Sequence, residues 1–383
     1  YSNTPCRQNV YFGCFLNIRC FMSSLRLNAI EITNYKNVSN ASYTFDAPIH
    51  CFVGNNGKGK TNTLDAIYHL AMGRSYFSAV NAHTIQHEAD FMRVEGHFER
   101  DDRTERIECM LKREASKVFI RNGKKYKKLS EHIGLLPTVM ISPADVDLIN
   151  EGSQTRRSFI DRLIGQADKT YLHQLIQYQK ILQQRNALLK QMGRYGQGAN
   201  ETLEIYNEQL VALGSPIHQT RVEYLSTFEP LFKKRYAAIS GVEENVSVSY
   251  QSQLLNEDFR KLIENAATQD RMAQFSTVGI HKDDLVFEIE GYPIKKFGSQ
   301  GQRKSLLIAL KLAQFDMLKQ ITTLTPLLLL DDIFDKLDEQ RVSKIINLVH
   351  ESSFGQLFIS DTHPERTEAV IKKTEQAFKL HHL

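Results

Sequence analysis

Apolar positions along the chain follow two periods, and the places where one gives way to the other divide it into segments. Leu25, Leu27, Ile30 and Ile32 alternate with polar neighbours, which predicts a half-buried strand. The short run FVG then reads as the end of a buried strand, and TNTLDAIYHLAMG after it carries Leu64, Ile67, Tyr68 and Ala71 at helical spacing. From residue 25 to about 147 the signals are mostly strands around that one long helix. They include a hairpin in KVFIRNGKKYKKL, where Asn122-Gly123 separates two runs.

From residue 152 to about 265 the period turns helical. Leu175, Tyr178, Leu182, Leu189 and Met192 fall three and four residues apart, interrupted at Arg185; Leu203, Tyr206, Leu210, Leu213 and Ile217 repeat the pattern after the turn GRYGQGAN. Two antiparallel helices joined near residues 193–200 are predicted, with about three heptads per arm, so the insert is a helical lobe or short coiled coil and not a long rod. After Thr277 strands and helices alternate again, ending on two continuous apolar runs, PLLLLDD and QLFIS, as buried parallel strands do. The front strand and these two are expected to share one sheet. The fold class expected is α/β, a P-loop ATPase lobe with an inserted helical lobe. Residues 22–150 form its front part with a β subdomain, 151–270 the insert and 271–383 its back part.

Composition narrows the class. A chain of 383 residues exceeds the ~250–300 at which a single core stops growing. A hydrophobic share of 42% with 24% charged residues is that of a globular chain. The longest apolar runs, such as 327–330, fall far short of the ~20 residues of a membrane span. The net charge is +4, and Arg7 and Arg19 in an acid-free opening leave +2 for the body, so charge alone does not argue for nucleic acid. Cys6, Cys14, Cys20, Cys51 and Cys109 are odd in number and lack CxxC spacing, which points to a reducing, cytoplasmic interior. Residues 1–21 carry neither a continuous apolar core nor a small-residue cleavage site. Met22 resembles a natural start, and the residues before it are expected to be an extension with no folded role.

The chemistry starts with Gly54-Asn55-Asn56-Gly57-Lys58-Gly59-Lys60-Thr61, which fills the strand-to-helix turn and matches GxxxxGK[ST]. Such a loop aims successive backbone N–H groups and a helix N-terminus at a polyphosphate; Lys60 reaches the β/γ-phosphates and Thr61 ligates Mg²⁺. Asp331 and Asp332 close the apolar run LLLL. Two adjacent carboxylates there are costly without a cation, which gives Asp331 the metal, through water, and Asp332 the attacking water. Ser299-Gln300-Gly301-Gln302 forms a small-polar turn before an amphipathic helix. It is either a capped helix start or a second anion-binding helix start, one that faces a nucleotide held by another subunit. Between 112 and 128, eight lysines and arginines face the single acid Glu114, with Lys124, Lys125, Lys127 and Lys128 around the tip. They are either DNA phosphate contacts or a solvated hairpin edge.

As a set, LRLNAIEITNYKNVSNASYTF, GNNGKGKTNTLDAIYHLAMGRSYF, ISPADVDLINEGSQTRRSFIDRL, TVGIHKDDL, GSQGQRKSLLIALKLAQ and LLLLDDIFDKLD resemble the RecF family, in the SMC-like branch of ABC-type ATPases, over about residues 25–358. The resemblance implies an ATP- and Mg²⁺-dependent homodimer closing on single-stranded, double-stranded or gapped DNA, with weak DNA-stimulated ATPase activity. Ser299, Gly301 and Gln302 take the signature role, and Asp338 sits in a loop crossing the dimer seam. A RecR-type mediator, RecA loading at gaps and SOS induction follow from the same resemblance, as does a nucleoid-associated place in the cytoplasm.

This sequence departs from the family at DKLD, which puts Asp335 in the seam, and at GQRKS; SPADV lacks an acid before Asp145, leaving the Q-loop equivalent open. The γ-phosphate sensor after QLFIS is Asp361, Thr362 or His363, and a histidine switch favours His363. Arg156 and Arg157 either touch phosphate or fix the lobe, and Lys282, Asp283 and Asp284 either belong to a family segment or merely turn into a strand. The rivals are a structural DNA clamp, disfavoured by the short arms, and a P-loop kinase or GTPase, which would not need Ser299–Gln302 and for which no NKxD is present. A transporter subunit fits a helical insert worse.

Overall fold

The structure is a computed structural model that describes residues 24–195, 200–333, 344, 354–373 and 375–383; expectations for residues 1–21, Asp335 and Asp338 lie outside the described residues. The chain opens with β1 (Leu25–Tyr35), β2 (Val38–Thr44) and β3 (Ile49–Val53), then α1 (Lys60–Met72). β4 (Phe91–Arg100), β5 (Arg103–Lys112), β6 (Val118–Arg121), β7 (Lys124–Lys125) and β8 (Thr138–Ile141) follow. The expected hairpin forms: Arg121 pairs with Lys124 around Asn122 and Gly123, whose φ of 49° and 78° a two-residue turn of this kind requires.

The helical segment comprises α2 (Asp147–Asn150), α3 (Ser153–Ala167), α4 (Lys169–Tyr195) and α5 (Asn200–Ser240). The two arms pack on each other through Leu175, Tyr178 and Leu189 against Leu203, Leu210 and Ile217, all buried. The second arm exceeds its expected length, running 41 residues through Pro216 and Pro230. Its buried stripe continues past Ile217 at Arg221, Leu225, Phe228, Phe232, Tyr236 and Ile239, and an arginine at a seam position hides that continuation from a hydrophobic pattern. Arg185 likewise is no break in the first arm. It is buried and donates to Asp270 Oδ2 at 2.6 Å, Ser276 Oγ at 2.7 Å and Asn207 Oδ1 at 2.8 Å.

The chain continues through β9 (Val246–Gln251), α6 (Phe259–Asn265), α7 (Ala267–Ala273), β10 (Asp284–Ile289), β11 (Tyr292–Pro293), α8 (Ile294–Phe297) and α9 (Gln300–Thr322). It closes with β12 (Leu327–Asp331), β13 (Leu357–Asp361), α10 (Pro364–Lys372) and β14 (Phe378–His382). Among the described residues three sheets result: an antiparallel one ordered β2-β1-β4-β5-β6-β7, a small one ordered β11-β10-β9, and a parallel one ordered β14-β3-β13-β12-β8. β3, β12 and β13 do share one sheet, as expected. β14 was not anticipated, because an edge strand of half-exposed residues, FKLHH, lacks a continuous apolar run.

Alternate side chains of the parallel sheet enter different cores. Leu328, Leu330 and Ile359 join α9 and the helical lobe, while Leu327, Leu329 and Phe358 join α1 and the antiparallel sheet. α1 is therefore sandwiched between two sheets, which is why nearly its whole length is buried. Among the described residues no helix is long and apolar enough to cross a membrane. Cys51 and Cys109 are free and buried.

Candidate nucleotide site

β3 delivers the phosphate loop and α1 receives it. Gly54 has φ 148°, and a Cβ there would meet the Leu383 carbonyl oxygen at 2.8 Å; Gly59 has φ 95°, and a Cβ there would crowd Val38 at 3.0 Å and Asn37 at 3.2 Å. Both positions demand glycine for space and for backbone conformation. Lys60 Nζ donates to the Gly54 and Asn55 carbonyls at 2.7 and 2.9 Å, so its ammonium is held over the loop where phosphate oxygens would take over those bonds. Asn37, in the β1–β2 turn, donates to Gly57 O at 2.6 Å and accepts from Asn62 Nδ2 at 2.7 Å. Sequence reasoning missed this clamp, since an asparagine in a turn has no signature of its own.

Thr61 in the first turn of α1 donates to Asp331 Oδ1 at 2.7 Å. Ser360 Oγ donates to the same oxygen at 2.7 Å and Ser142 Oγ to Oδ2 at 3.3 Å. Burial raises the Asp331 carboxyl above the usual range, and the three hydroxyls work against that rise. A hydroxyl and a carboxylate of this kind are hard oxygen donors that suit Mg²⁺, which is commonly held by one or two protein oxygens plus substrate phosphates. Among the described residues no cluster of three His, Cys, Asp or Glu could hold a metal by side chains alone.

Asp332 lies next along the chain with φ 48°, its N–H directed to Ser360 O at 3.2 Å and Ser360 Oγ at 3.0 Å. It lines one cavity with Asn37, Asn56, Gly57, Gly59, Lys60, Thr61 and Asn62. Lys60, Thr61 and Asp332 thus meet in one place, with Asp331 bonded to Thr61 beneath. Lys58 is exposed on the loop.

The residues expected in the signature role are elsewhere. Ser299 Oγ accepts from Gln302 N at 3.2 Å, and Gln302 Oε1 accepts from Ser299 N at 2.8 Å, a reciprocal cap on the N-terminus of α9. Gln302 Nε2 donates to Glu244 Oε1 at 2.8 Å, a partner the sequence did not suggest. Among the described residues, Ser299, Gln300, Gly301 and Gln302 contribute nothing to the phosphate-loop cavity.

Of the three candidate sensors after β13, Asp361 is buried and committed to Arg366 at 2.9 Å and to Thr367. His363 is exposed at the N-terminus of α10, its Nδ1 2.9 Å from Thr362 Oγ1. The segment SPADV forms its own capped turn: Ser142 N donates to Asp145 Oδ2 at 2.8 Å. Asp145 also accepts from the Tyr76 hydroxyl and pairs with Lys311 at 2.8 Å. A buried polar chain therefore runs from Tyr76 through Asp145 and Ser142 to Asp331.

Arg156 and Arg157 are engaged within the fold. Arg156 forms a two-pronged pair with Asp284, 2.6 and 2.9 Å, and Arg157 donates to Asp283 O at 2.5 Å. Arg221 reaches Asp161 at 2.8 Å, Asp283 at 2.6 Å and Ile280 O at 2.9 Å, so TVGIHKDDL is the socket of the helical lobe. In the basic hairpin Arg113, Lys117 and Arg121 are likewise taken up by Ala89 O, Gly73 O and Glu105. Lys124, Lys125, Lys127 and Lys128 are exposed.

The family described as RecF/RecN/SMC N terminal domain matches residues 26–382. A protein described as DNA replication and repair protein RecF, from Flavobacterium johnsoniae, is 55% identical over 359 residues, 94% of this chain and 100% of that one. Its counterpart from Phocaeicola vulgatus is 44% identical, covering 92% and 95%. A solved structure of the recombination mediator protein RecF with ATP, in the RecFOR pathway, has TM-score 0.83 at 32% identity, covering 89% of this chain and 92% of that one. The Smc head domain of Pyrococcus furiosus has TM-score 0.52 at 16% identity, covering 91% and 92%, a likeness of fold alone. Since these matches span nearly the whole body that carries the loop, its carboxylates and the helical insert, the chain belongs to the RecF family, with the ABC-type ATPase fold that RecF shares with SMC heads.

Proposed function

We propose that the chain is an ATP-binding, slowly hydrolysing protein of DNA replication and repair, whose nucleotide state sets its pairing with a second copy and its hold on DNA. One observation carries this reading. Thr61 and Asp331 meet at 2.7 Å beside the phosphate loop, whereas the capped turn Ser299–Gln302 stands outside that cavity. A second anion-binding helix start has no use in its own subunit's site and gains one if it completes the site of a partner.

In this reading Lys60 and the loop amides hold the triphosphate, Thr61 and Asp331 hold Mg²⁺, and Asp332 orients water at the γ-phosphate. Ser299, Gly301 and Gln302 cover that phosphate from the second subunit, with Asp338 at the seam and His363 as sensor. Lys124, Lys125, Lys127 and Lys128 offer DNA phosphates their charge. Partnership with a RecR-type mediator, and through it RecA loading at gaps and SOS induction in the cytoplasm, complete the proposal. Sedimentation velocity tests it: ATP with Mg²⁺ should convert monomer to dimer, and Lys60→Ala should remain monomeric. No shift in the unaltered chain would favour a kinase-like enzyme complete in one subunit.

A further inference from the structure

A cavity of 320 Å³, walled mainly by apolar side chains, lies where the end of α1 and the turn at residues 129–133 meet α3 and α4. Arg74, from the turn after Gly73, and Arg162, from α3, both line it together with the hydroxyl residues Ser130 and Ser158. Among the described residues neither guanidinium forms an ion pair with a carboxylate. Asp161 also lines the cavity, but its Oδ1 already accepts from Arg221 at 2.8 Å and Tyr171 at 2.5 Å. Arg162 instead hydrogen-bonds to Tyr68 and stands 5.8 Å above the Tyr76 ring; against burial, which would lower it, these rings and the charge of Asp145 hold its guanidinium above the ordinary range. Burial pulls the Arg74 guanidinium below its ordinary range, and the charge of Arg162 adds to that.

In this cavity burial and the charge of Arg162 together raise the energy of the Arg74 cation. An anion there would lower it. A guanidinium fork pairs bidentately with phosphate as it does with carboxylate, but two such forks with two hydroxyl donors offer more bonds than one carboxylate can accept in a single plane, and the volume is near the lower end of small-ligand sites. We propose that this cavity is a phosphate-binding site, in which Arg74 and Arg162 take a phosphate monoester or phosphodiester group. It stands apart from the phosphate loop. Even so, the Tyr76 ring beneath Arg162 opens the polar chain that runs through Asp145 and Ser142 to Asp331, so an anion that moved Arg162 would act at the far end of that chain from Asp331.

The test uses the full chain with Lys60→Ala, so that the phosphate loop does not compete, and inorganic phosphate as probe, read by its ³¹P line width and by the thermal midpoint. Saturable binding is expected. Adding Arg74→Gln should weaken it about tenfold, while Arg74→Lys, which keeps the charge, should weaken it less. Arg74 is exposed as a residue, with its guanidinium partly covered at the cavity, and it is no part of the buried core, so its substitution leaves the packing intact. Absence of saturable binding, or binding indifferent to Arg74→Gln, would overturn the proposal. A single-stranded oligonucleotide that displaces the phosphate supports the site as one for nucleic-acid backbone. Phosphate that stays bound in its presence supports the site as one for a small phosphate.

Discussion

The hydroxyl of Thr61 and the carboxylate of Asp331 are 2.7 Å apart, although 270 positions separate them in the chain. This contact joins the first turn of α1 to the end of β12. Thr61→Val removes the hydroxyl and keeps the shape, and should weaken binding of ATP with Mg²⁺ at least tenfold while changing metal-free binding little. Titration of a fluorescent ATP analogue with and without EDTA reads the difference.

Lys60 and Asp332 should fail in different ways. Lys60→Ala abolishes ATP binding, because the ammonium now shared by the Gly54 and Asn55 carbonyls is the loop's strongest charge toward phosphate. Asp332→Asn keeps binding and loses hydrolysis, and should accumulate as an ATP-bound dimer. Filter binding beside phosphate release separates the two, and normal turnover by Asp332→Asn would remove it from the water-orienting role.

Mixing two inactive proteins tests whether the site is shared. Lys60→Ala spoils the loop and Ser299→Arg blocks the signature, so in a mixed dimer one site carries both lesions and the other none. About half of randomly formed dimers are mixed, and ATPase activity should reappear at equal proportions. A flat response across ratios, with mixed dimers verified by tagged pull-down, points to self-sufficient subunits or to two sites that must fire together. A covalently linked dimer with one lesion distinguishes these.

Arg221 is a stability residue. Replacing it by methionine leaves Asp161 and Asp283 without their buried cation, and breaking such an arrangement from one side costs about 3–5 kcal/mol. Urea unfolding without nucleotide measures the loss. A change below about 1 kcal/mol would mean that the carboxyls find other partners or take up protons.

Acid should weaken the fold through histidines. Burial lowers His50, His132 and His281 to about 4 and His69 to about 3, from 6.5. Between those values and 6.5 the unfolded chain binds more protons than the folded one. Each histidine's contribution is therefore complete above pH 6.5 and shrinks as pH falls, by about 1.4 kcal/mol per pH unit within the window. Asp283 and Asp331, raised by burial, act in the opposite sense near their own lower range. Urea midpoints at pH 7 and 5 should differ, and His132→Gln should reduce the difference.

What the sequence disclosed depended on whether neighbours in the chain share a task. The phosphate loop, the Asp331-Asp332 pair, the Asn122-Gly123 hairpin and the paired helices are local patterns, and each appears where expected. Asn37, Ser142 and Ser360 lie within segments the sequence singled out, and Glu244 lies in none, but nothing local names their partners; tertiary folding alone brings them to the loop, to Asp331 and to Gln302. The length of α5 and the burial of Arg185 were hidden for a related reason. A hydrophobic period counts arginine as surface, yet here the arginine's carboxylates come from distant segments.

The alternation along β12 has an evolutionary reading. Packing forces are short-ranged, and a strand whose odd and even side chains serve different cores acts as an insulator between them. A methylene lost at Leu329 loosens the bed of α1, and one lost at Leu330 loosens the bed of α9, although the two residues are adjacent in the chain. The helix behind the phosphate loop and the helix capped by Ser299 can therefore accumulate substitutions independently. A lineage can then retune its grip on phosphate while the opposite face of the same sheet keeps its shape.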